Sequence, residues 1–391
     1  MDYANGIQAA DKLNKFIDKI INNESHCIGY PVNTKFDYSI LDPLFRFPIN
    51  NVGDPMVEGN YKLSSFELER EVIRFFAIMF KAQDEDYWGY VTNGGSEGNL
   101  YGLYLARELF PKGMVYYSES THYSVHKNIH LLNMPAIAIR SQENGEMDYQ
   151  DLDHSIRLHR HLPVIILANI GTTMTEARDD LDKINSIIRR NAITHKYIHC
   201  DGALTGSYAA FIYPRTAYDF VDGADSIAVS GHKFIGSPIP CGVVIVKKSN
   251  RDRIARAISY IDSMDTTITG SRNGHTPVIL WHAINQLGQE GLRDSYYKCL
   301  AVTEYALKKM LELGIKAWKN QGALTIVFPT PALAIKKKWQ LASQNGMSHI
   351  ICMPGVTKYM INQCIMDLVS QKEIPQLLNQ VNIKSHDTLN K

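Results

Sequence analysis

Seven short runs of apolar and β-branched residues alternate with stretches of helical periodicity between about residues 60 and 250. Strands separated by helices are typical of a mostly parallel sheet that helices cover on both faces. Several of the runs lack the polar alternation of a half-exposed strand, which agrees with burial on both sides. The sequence therefore predicts an α/β fold. The predicted strands are 89–92, 114–117, 136–139, 164–168, 197–200, 226–229 and 243–246.

The pattern changes after about residue 275. Two long helical stretches, 277–289 and 293–313, are followed by short apolar runs at 324–328 and 349–352. With 391 residues, the chain exceeds the usual length of one domain. We therefore predict an N-terminal arm over 1–58 that contains an amphipathic helix, a large domain over 59–274, and a smaller α+β domain over 275–391.

Composition narrows the possible partners. Lys and Arg number 41 against 40 for Asp and Glu, so the net charge is +1 and no basic footprint for nucleic acid is present. No apolar stretch approaches the ~20 residues that span a bilayer, so a membrane is not an expected partner. The six cysteines are scattered and form no Cys-x-x-Cys pair. This usage predicts reduced thiols and a cytoplasmic protein.

Ligands of open parallel sheets bind beyond the carboxyl ends of the strands. One such end carries the glycine-rich segment 93–99, which precedes a helical run to Leu109. Glycines let backbone amides approach an anion, and Ser96 offers a hydroxyl at the expected helix N-cap. The segment predicts a phosphate site, although an ordinary strand-to-helix turn has the same composition.

Two further strand ends carry single charged residues. Asp201 follows one strand and is a candidate to hold a protonated ligand nitrogen or to cap a helix. Lys233 follows the next strand within Ser230–Gly236 and is a candidate Schiff-base amine, because desolvation lowers the pKa of a buried lysine. Most lysines, however, are simply solvated.

An anion site, a carboxylate and an amine at three ends of one sheet match the needs of pyridoxal phosphate. The cofactor requires an amine for its aldehyde, a carboxylate for its pyridine nitrogen and a phosphate site. His122 begins a helix after another strand and could stack on the cofactor ring. Thr172 follows a fourth strand and could donate a hydrogen bond to the ring oxygen or to Asp201.

Five segments in order resemble the group II pyridoxal phosphate-dependent amino-acid decarboxylases. Within this group the chain is most similar to the histidine decarboxylase branch, which also holds the plant-type serine decarboxylases. The similarity extends from about residue 29 to 366. The segments that carry it are 93–99 (NGGSEGN), 122–125 (HYSV), 169–173 (NIGTT), 230–233 (SGHK) and 270–275 (GSRNGH).

The resemblance implies a fold-type I architecture, with pyridoxal 5'-phosphate bound at the interface of a homodimer or homotetramer. Catalysis would fall to Lys233, which holds the cofactor's aldehyde, to Asp201, which pairs with the ring nitrogen, and to His122, which stacks on the ring. The segment 270–272 would reach in from the neighbouring subunit. The other cofactor-binding residues implied are Ala203 against the second ring face, Thr172, and Gly95, Ser96, Ser230 and His232 around the phosphate.

Substrate choice is less constrained by the sequence. Histidine and serine decarboxylases carry a small hydroxyl residue where this chain has Ala323, which is expected, with His122, to contact the substrate. L-Histidine is the first expectation, and L-serine or another small L-amino acid is the alternative. The group that donates a proton to the product carbon is equally open, since Tyr260, His122 and water are all candidates.

Three other classes of protein share part of this pattern. A pyridoxal phosphate aminotransferase would use the same Lys233 and Asp201, and a catalytically dead homologue would keep the fold alone. A metal hydrolase is suggested by His154, His159 and His161, but these lack metal-ligand spacing. No metal is therefore expected.

Overall fold

The computed structural model describes residues 6–258 and 262–370. The helices are α1 (Gly6–Glu24), α2 (Phe66–Met79), α3 (Gly95–Leu109), α4 (Tyr123–Leu131), α5 (Tyr149–Leu158), α6 (Leu181–Arg190), α7 (Lys248–Arg251), α8 (His275–Glu312) and α9 (Leu333–Lys338). Shorter turns are the 3-10 helices Ser39–Arg46, Thr205–Ser207 and Ala209–Phe211, and the π-helical turn Gly231–Ile235. The strands are β1 (Asn50–Val52), β2 (Tyr87–Thr92), β3 (Met114–Ser118), β4 (Ala136–Ile139), β5 (Val164–Asn169), β6 (Lys196–Asp201), β7 (Ser226–Ser230), β8 (Gly242–Lys247), β9 (Arg256–Ile258), β10 (Ser263–Asp265), β11 (Ser271–Asn273), β12 (Thr325–Pro329), β13 (Ser343–Gln344) and β14 (Met347–Ile351).

The main sheet contains all seven predicted strands, in the order β2-β8-β7-β6-β5-β3-β4. Every neighbouring pair is parallel except the two that β8 forms with β2 and β7. The prediction of a seven-stranded, mostly parallel sheet is confirmed. It succeeded because a strand such as β5 is buried on both faces, and its first five residues form an uninterrupted apolar run.

The strand register places the carboxyl ends of the central strands side by side. Asn169 at the end of β5 is paired with Asp201 at the end of β6, and Asp201 is paired with Ala228 near the end of β7. Side chains that follow these strands therefore meet at one edge of the sheet, as the sequence predicted.

Helix α3 lies very close to this sheet because glycines face the strands. A Cβ atom added to Gly98 would lie 2.7 Å from the Ala228 Cβ atom, and one added to Gly102 would lie 2.2 Å from Nδ1 of His199. Real Cβ atoms do not approach so closely, so only glycine fits at both positions. The short separation brings the start of α3 to the ends of β6 and β7.

The chain divides into two compact units. The larger unit comprises 35–298 and 320–323 and contains the seven-stranded sheet. Its core joins aromatic and aliphatic side chains of α3 and the sheet, including Trp88, Tyr101, Leu103, Ile165 and Val244. The small antiparallel pairs β1–β11 and β9–β10 also belong to it.

The described part of the smaller unit comprises 6–34, 299–319 and 324–370. Its antiparallel sheet has the order β12-β14-β13. Helix α8, which continues into this unit, is interrupted by Gly288 with φ 58° and ψ −174°, where the sequence predicted two helical stretches.

The structure groups the N-terminal residues differently from the predicted arm over 1–58. Ile28 is fully buried and packs in the core of the smaller unit with Met310 and Ile326. Its carbonyl accepts a hydrogen bond of 2.8 Å from the Ile351 amide. The N-terminal residues join C-terminal ones because an apolar side chain at position 28 completes this core.

Within 6–258 and 262–370, no helix combines the length and the apolar character that a membrane crossing requires.

The close packing of α3 predicts the effect of Gly98→Ala. Alanine usually stabilises a helix by about 1 kcal/mol relative to glycine. Here the new methyl group would overlap Ala228, and we expect a net loss of about 1–3 kcal/mol in the free energy of unfolding, measured with urea. Gly206→Ala is the control, because its Cβ atom would meet its nearest neighbour at 3.5 Å. Equal effects of the two changes would contradict this account.

Candidate active site

The start of α3 forms a cradle at the sheet edge. Gly94, with φ 138°, is the N-cap residue of the helix. A Cβ atom on Gly95 would lie 2.9 Å from Oγ of Ser230 and 3.1 Å from Cβ of Ala203. The amides of Gly95 and Ser96 donate to none of the residues that the structure describes. Free amides at a helix N-terminus bind anions, so the cradle suits a phosphate.

Ser96 does not occupy the position that the sequence predicted. The helix begins at Gly95, so Gly94 is the N-cap residue and Ser96 lies inside the first turn. Its side chain is exposed and caps no backbone amide. The prediction of a Ser96 N-cap was wrong, because the positive φ of Gly94 lets the helix start two residues earlier. Ser96 stays at the cradle through its amide.

His232 closes another side of the cradle. Its Nδ1 atom lies 2.8 Å from the carbonyl oxygen of Cys241 and donates to it. A Cβ atom built on Gly94 would lie 3.6 Å from Cε1 of the His232 ring. The Ser230 amide donates to the Ala203 carbonyl at 3.1 Å. Four predicted phosphate and ring contacts, Gly95, Ala203, Ser230 and His232, are thus brought together.

Asp201 ends β6 with only 6% of its surface exposed. Its Oδ2 atom accepts a hydrogen bond of 2.7 Å from Nδ2 of Asn99, and its Oδ1 atom accepts one of 3.0 Å from the Ala203 amide. Each carboxylate oxygen therefore has a hydrogen-bond donor in this buried position.

Lys233 lies in the π-helical turn Gly231–Ile235 that follows β7. Burial lowers the pKa of its ammonium group from the usual value, and the nearby Asp201 carboxylate opposes this shift. No ion pair joins the amine to a side chain within the described ranges. An amine with a lowered pKa is suited to nucleophilic attack on an aldehyde, and the nearby Asp201 carboxylate can stabilise a positive charge.

His122 is the N-cap residue of α4. Its Nδ1 atom accepts from the Ser124 amide at 3.3 Å and lies 2.8 Å from the Ser124 hydroxyl. A neutral ring that accepts at Nδ1 carries its proton on Nε2. Burial lowers the pKa of His122, while Asp201 raises it and Lys233 lowers it. These charges act on the ring because it lies near both groups.

Two predicted residues have other contacts in the structure. The Thr172 hydroxyl lies 2.9 Å from the Thr175 hydroxyl and accepts from the Ala177 amide at 3.0 Å. Ala323 is fully buried, and its amide donates to the Asn320 carbonyl at 3.1 Å. Their roles toward cofactor and substrate stay predictions. Tyr260 lies outside the described residues.

Arg272 is held within its own chain. Its guanidinium group pairs with the buried carboxylate of Glu69 and donates to the Gly53 carbonyl at 3.3 Å. The expectation that the segment 270–272 reaches a neighbouring subunit stays a prediction, and within the chain the Arg272 side chain forms a buried ion pair. Gly270 and Ser271 are exposed.

Sequence reasoning missed the polar residues behind the site. Asn99 and His199 are buried, and Nε2 of His199 lies 2.9 Å from Oδ1 of Asn99. His199 precedes Asp201 by two residues, so both face the same side of β6, and this spacing was a usable indication. Asn169 similarly donates to Thr121, beside His122, and to Asp179.

The residues present fit pyridoxal phosphate. The glycine cradle leaves space beside Ser230 that a Cβ atom at position 95 would fill. The carboxylate of Asp201, the amine of Lys233 with its lowered pKa, and the His122 imidazole that caps α4 all follow strands of the same sheet. Across the described ranges, no group of three or more His, Cys, Asp or Glu side chains has the arrangement of a metal site.

Comparisons with known proteins agree with this fit. The model of the pyridoxal-dependent decarboxylase conserved domain matches residues 50–318. The histidine decarboxylase of Mesorhizobium japonicum is 46% identical over 354 residues, covering 90% of this chain and 95% of the relative. That of Vibrio anguillarum is 45% identical, covering 94% and 97%. The structure of L-methionine decarboxylase from Streptomyces sp. 590 superposes with a TM-score of 0.86 at 23% identity, covering 94% and 96%, and confirms the fold-type I architecture.

The buried His199 predicts a pH dependence of stability. Burial lowers its pKa to about 4, below the value of about 6.5 expected in the unfolded chain. The neutral ring thus stabilises the fold fully above pH ~6.5, and this contribution is lost as the pH falls toward 4. Between about pH 7 and pH 4, we expect wild type to lose up to about 3 kcal/mol relative to His199→Gln. Urea unfolding at several pH values measures the difference; parallel curves would contradict a depressed pKa.

Proposed function

The chain belongs to the pyridoxal-dependent decarboxylase family, and we propose on this premise that it converts L-histidine to histamine and carbon dioxide. Its cofactor is pyridoxal 5'-phosphate. The observation that supports L-histidine as the substrate is the identity of 45–46% to histidine decarboxylases over at least nine-tenths of the chain.

The glycine cradle would hold the cofactor phosphate. The amides of Gly95 and Ser96 point from the α3 N-terminus, whose partial positive charge favours an anion. The Ser230 hydroxyl and the His232 ring lie at the same cradle. Because these donors lie at the ends of a helix and a strand, they would hold the phosphate without rearrangement.

Lys233 and Asp201 would act on the two reactive ends of the cofactor. When bound, the cofactor supplies an electron sink for the electron pair that remains when carbon dioxide leaves. Lys233 would hold the aldehyde carbon until the substrate amine replaces it. Asp201 would keep the ring nitrogen protonated, because an ionised carboxylate held by two donors favours a nearby positive charge.

His122 would stack on one face of the cofactor ring and fix its position. Its Nδ1 atom is committed to the start of α4, so the ring orientation is fixed and its proton lies on Nε2. Burial keeps the imidazole neutral, which suits an aromatic contact and leaves an N–H donor. Thr172 and Ala323 complete the proposed set, toward the cofactor and the substrate side chain respectively.

The substrate is tested by supplying the holoenzyme with a panel of L-amino acids. We expect kcat/KM for carbon dioxide release from histidine to exceed that from serine by at least about tenfold, because a pocket fitted to an imidazole leaves polar groups unpaired with a smaller substrate. Equal or faster release from serine would transfer the assignment to serine. Formation of a keto acid in place of carbon dioxide would assign an aminotransferase.

Lys233→Ala provides the matched control for the panel. This variant should still bind pyridoxal phosphate through the cradle, but borohydride should no longer attach the cofactor to the protein. Its carbon dioxide release should fall by at least about a thousandfold, because the amine is the group that holds and releases the aldehyde. Full activity of the variant would exclude Lys233 from the chemistry.

We infer that the working form is a homodimer or homotetramer with the site at an interface. The α1 helix carries an apolar stripe that is 46–60% exposed, formed by Leu13, Phe16, Ile17, Ile20 and Ile21. Tyr123, next to His122, is 74% exposed. A second copy of this chain covering such side chains would remove apolar surface from water. The six free cysteines support a cytoplasmic location.

The α1 stripe is tested by placing charges on it. Phe16→Glu combined with Ile17→Glu should shift the protein toward the monomer in light scattering, because two carboxylates would be buried in the interface. Lys19→Glu, on an exposed position of the same helix, should leave the mass unchanged. A dimer that persists in the double variant would exclude α1 from the interface.

A further inference from the structure

A chain of five buried polar side chains runs from the core to Asp201. The Tyr197 hydroxyl donates to Oγ of Ser226 at 2.9 Å, and Ser226 lies 2.7 Å from Nδ1 of His199. Nε2 of His199 lies 2.9 Å from Oδ1 of Asn99, whose Nδ2 donates to Asp201 at 2.7 Å. The first four residues are at most 1% exposed, and Asp201 is 6% exposed.

Only one direction of hydrogen bonding satisfies all five of these side chains. If Tyr197 donates first, each following group has one donor and one acceptor, and Asp201 ends the chain as an ionised acceptor. The reverse direction requires a protonated Asp201. It would also leave the Tyr197 hydroxyl proton without an acceptor among the residues that the structure describes. An unpaired buried donor is costly, so the first direction is favoured.

We propose that His199 is a positioning residue that locks the Asn99 amide, so that Asn99 presents its NH2 group as a hydrogen-bond donor to the Asp201 carboxylate. The proposal rests on the proposed function for the role of Asp201 toward the cofactor nitrogen. His199 itself acts through Asn99. A ring protonated on Nε2 and accepting at Nδ1 forces the Asn99 carbonyl away from Asp201, because that carbonyl is the acceptor of the Nε2 proton.

The packing around the ring supports this role. The imidazole of His199 occupies the space of the missing side chain at Gly102, one turn along α3 from Asn99. Tyr197, His199 and Asp201 alternate along β6 and therefore face α3 together. Asp201 is the charged group that acts on the ring, and burial keeps the imidazole neutral against it.

The tautomer is tested directly on the apoprotein. In protein labelled with 15N-histidine, the His199 resonances should show a neutral ring with the proton on Nε2, unchanged between about pH 5 and pH 8. Comparison with His199→Gln assigns the signals. A ring protonated on Nδ1, or one that titrates in this range, would overturn the proposal, and neither result depends on enzyme activity.

The effect on Asp201 is tested with His199→Leu and His199→Gln. Leucine cannot orient Asn99, so we expect kcat to fall about tenfold to a hundredfold, with KM for the amino acid nearly unchanged because His199 does not touch the substrate. Titration of the apoprotein with pyridoxal phosphate should show weaker binding as well. Glutamine offers a donor and an acceptor near the same places, so it should restore most of both losses.

His349→Leu distinguishes a merely structural role of His199 from a role in positioning Asn99. This variant removes another fully buried imidazole, located in the smaller unit. This control should lower stability while leaving kcat and cofactor affinity close to wild type. A folded His199→Leu protein with unchanged kcat and cofactor affinity would overturn the proposal, and so would glutamine behaving like leucine. If wild type releases no carbon dioxide from any amino acid, the proposed function fails, whereas the 15N and cofactor titrations still decide the role of His199.

Discussion

The contact between α3 and the main sheet is the constraint on which the site depends. Glycines at 95, 98 and 102 remove side chains from the facing surface, so the helix reaches a separation that no larger residue allows. Its N-terminal amides then lie beside Ser230 and Ala203, and Asn99 on the same helix reaches Asp201. The close packing of α3 on the sheet thus positions both the anion cradle and the donor that orients the buried carboxylate.

The electrostatics of the site follow from burial. Removing Lys233 and His122 from water favours their neutral forms, whereas Asp201 is held as an acceptor by amide donors. Neutral dipoles rather than a cation stand behind Asp201. Among the described residues the carboxylate forms no ion pair, so its charge is available to a positively charged ligand nitrogen.

Much of the fold and the central residues of the site were predictable from the sequence. Strands buried on both faces require unbroken apolar runs, and the residues after those runs must meet at one sheet edge. That reasoning reached Lys233, Asp201 and His122, whereas the role of Ser230 came from the family resemblance, and the strand register confirms that the ends of β5, β6 and β7 are adjacent. It failed for the Ser96 cap, because the φ of Gly94 decides where the helix begins and no residue type alone fixes that angle.

The order of apolar runs and strand-end residues, read without coordinates, determined the sheet, the cofactor class and the family resemblance. Those features are local in the chain, since each depends on a few consecutive residues and on general rules for parallel sheets. Tertiary structure alone decided which residues a hundred or more positions apart are in contact: Asn99 with Asp201 and His199, Arg272 with Glu69, and Ile28 with the C-terminal core. Such pairings depend on packing distances and hydrogen-bond geometry in three dimensions, and the spacing of residues along the sequence does not report these quantities.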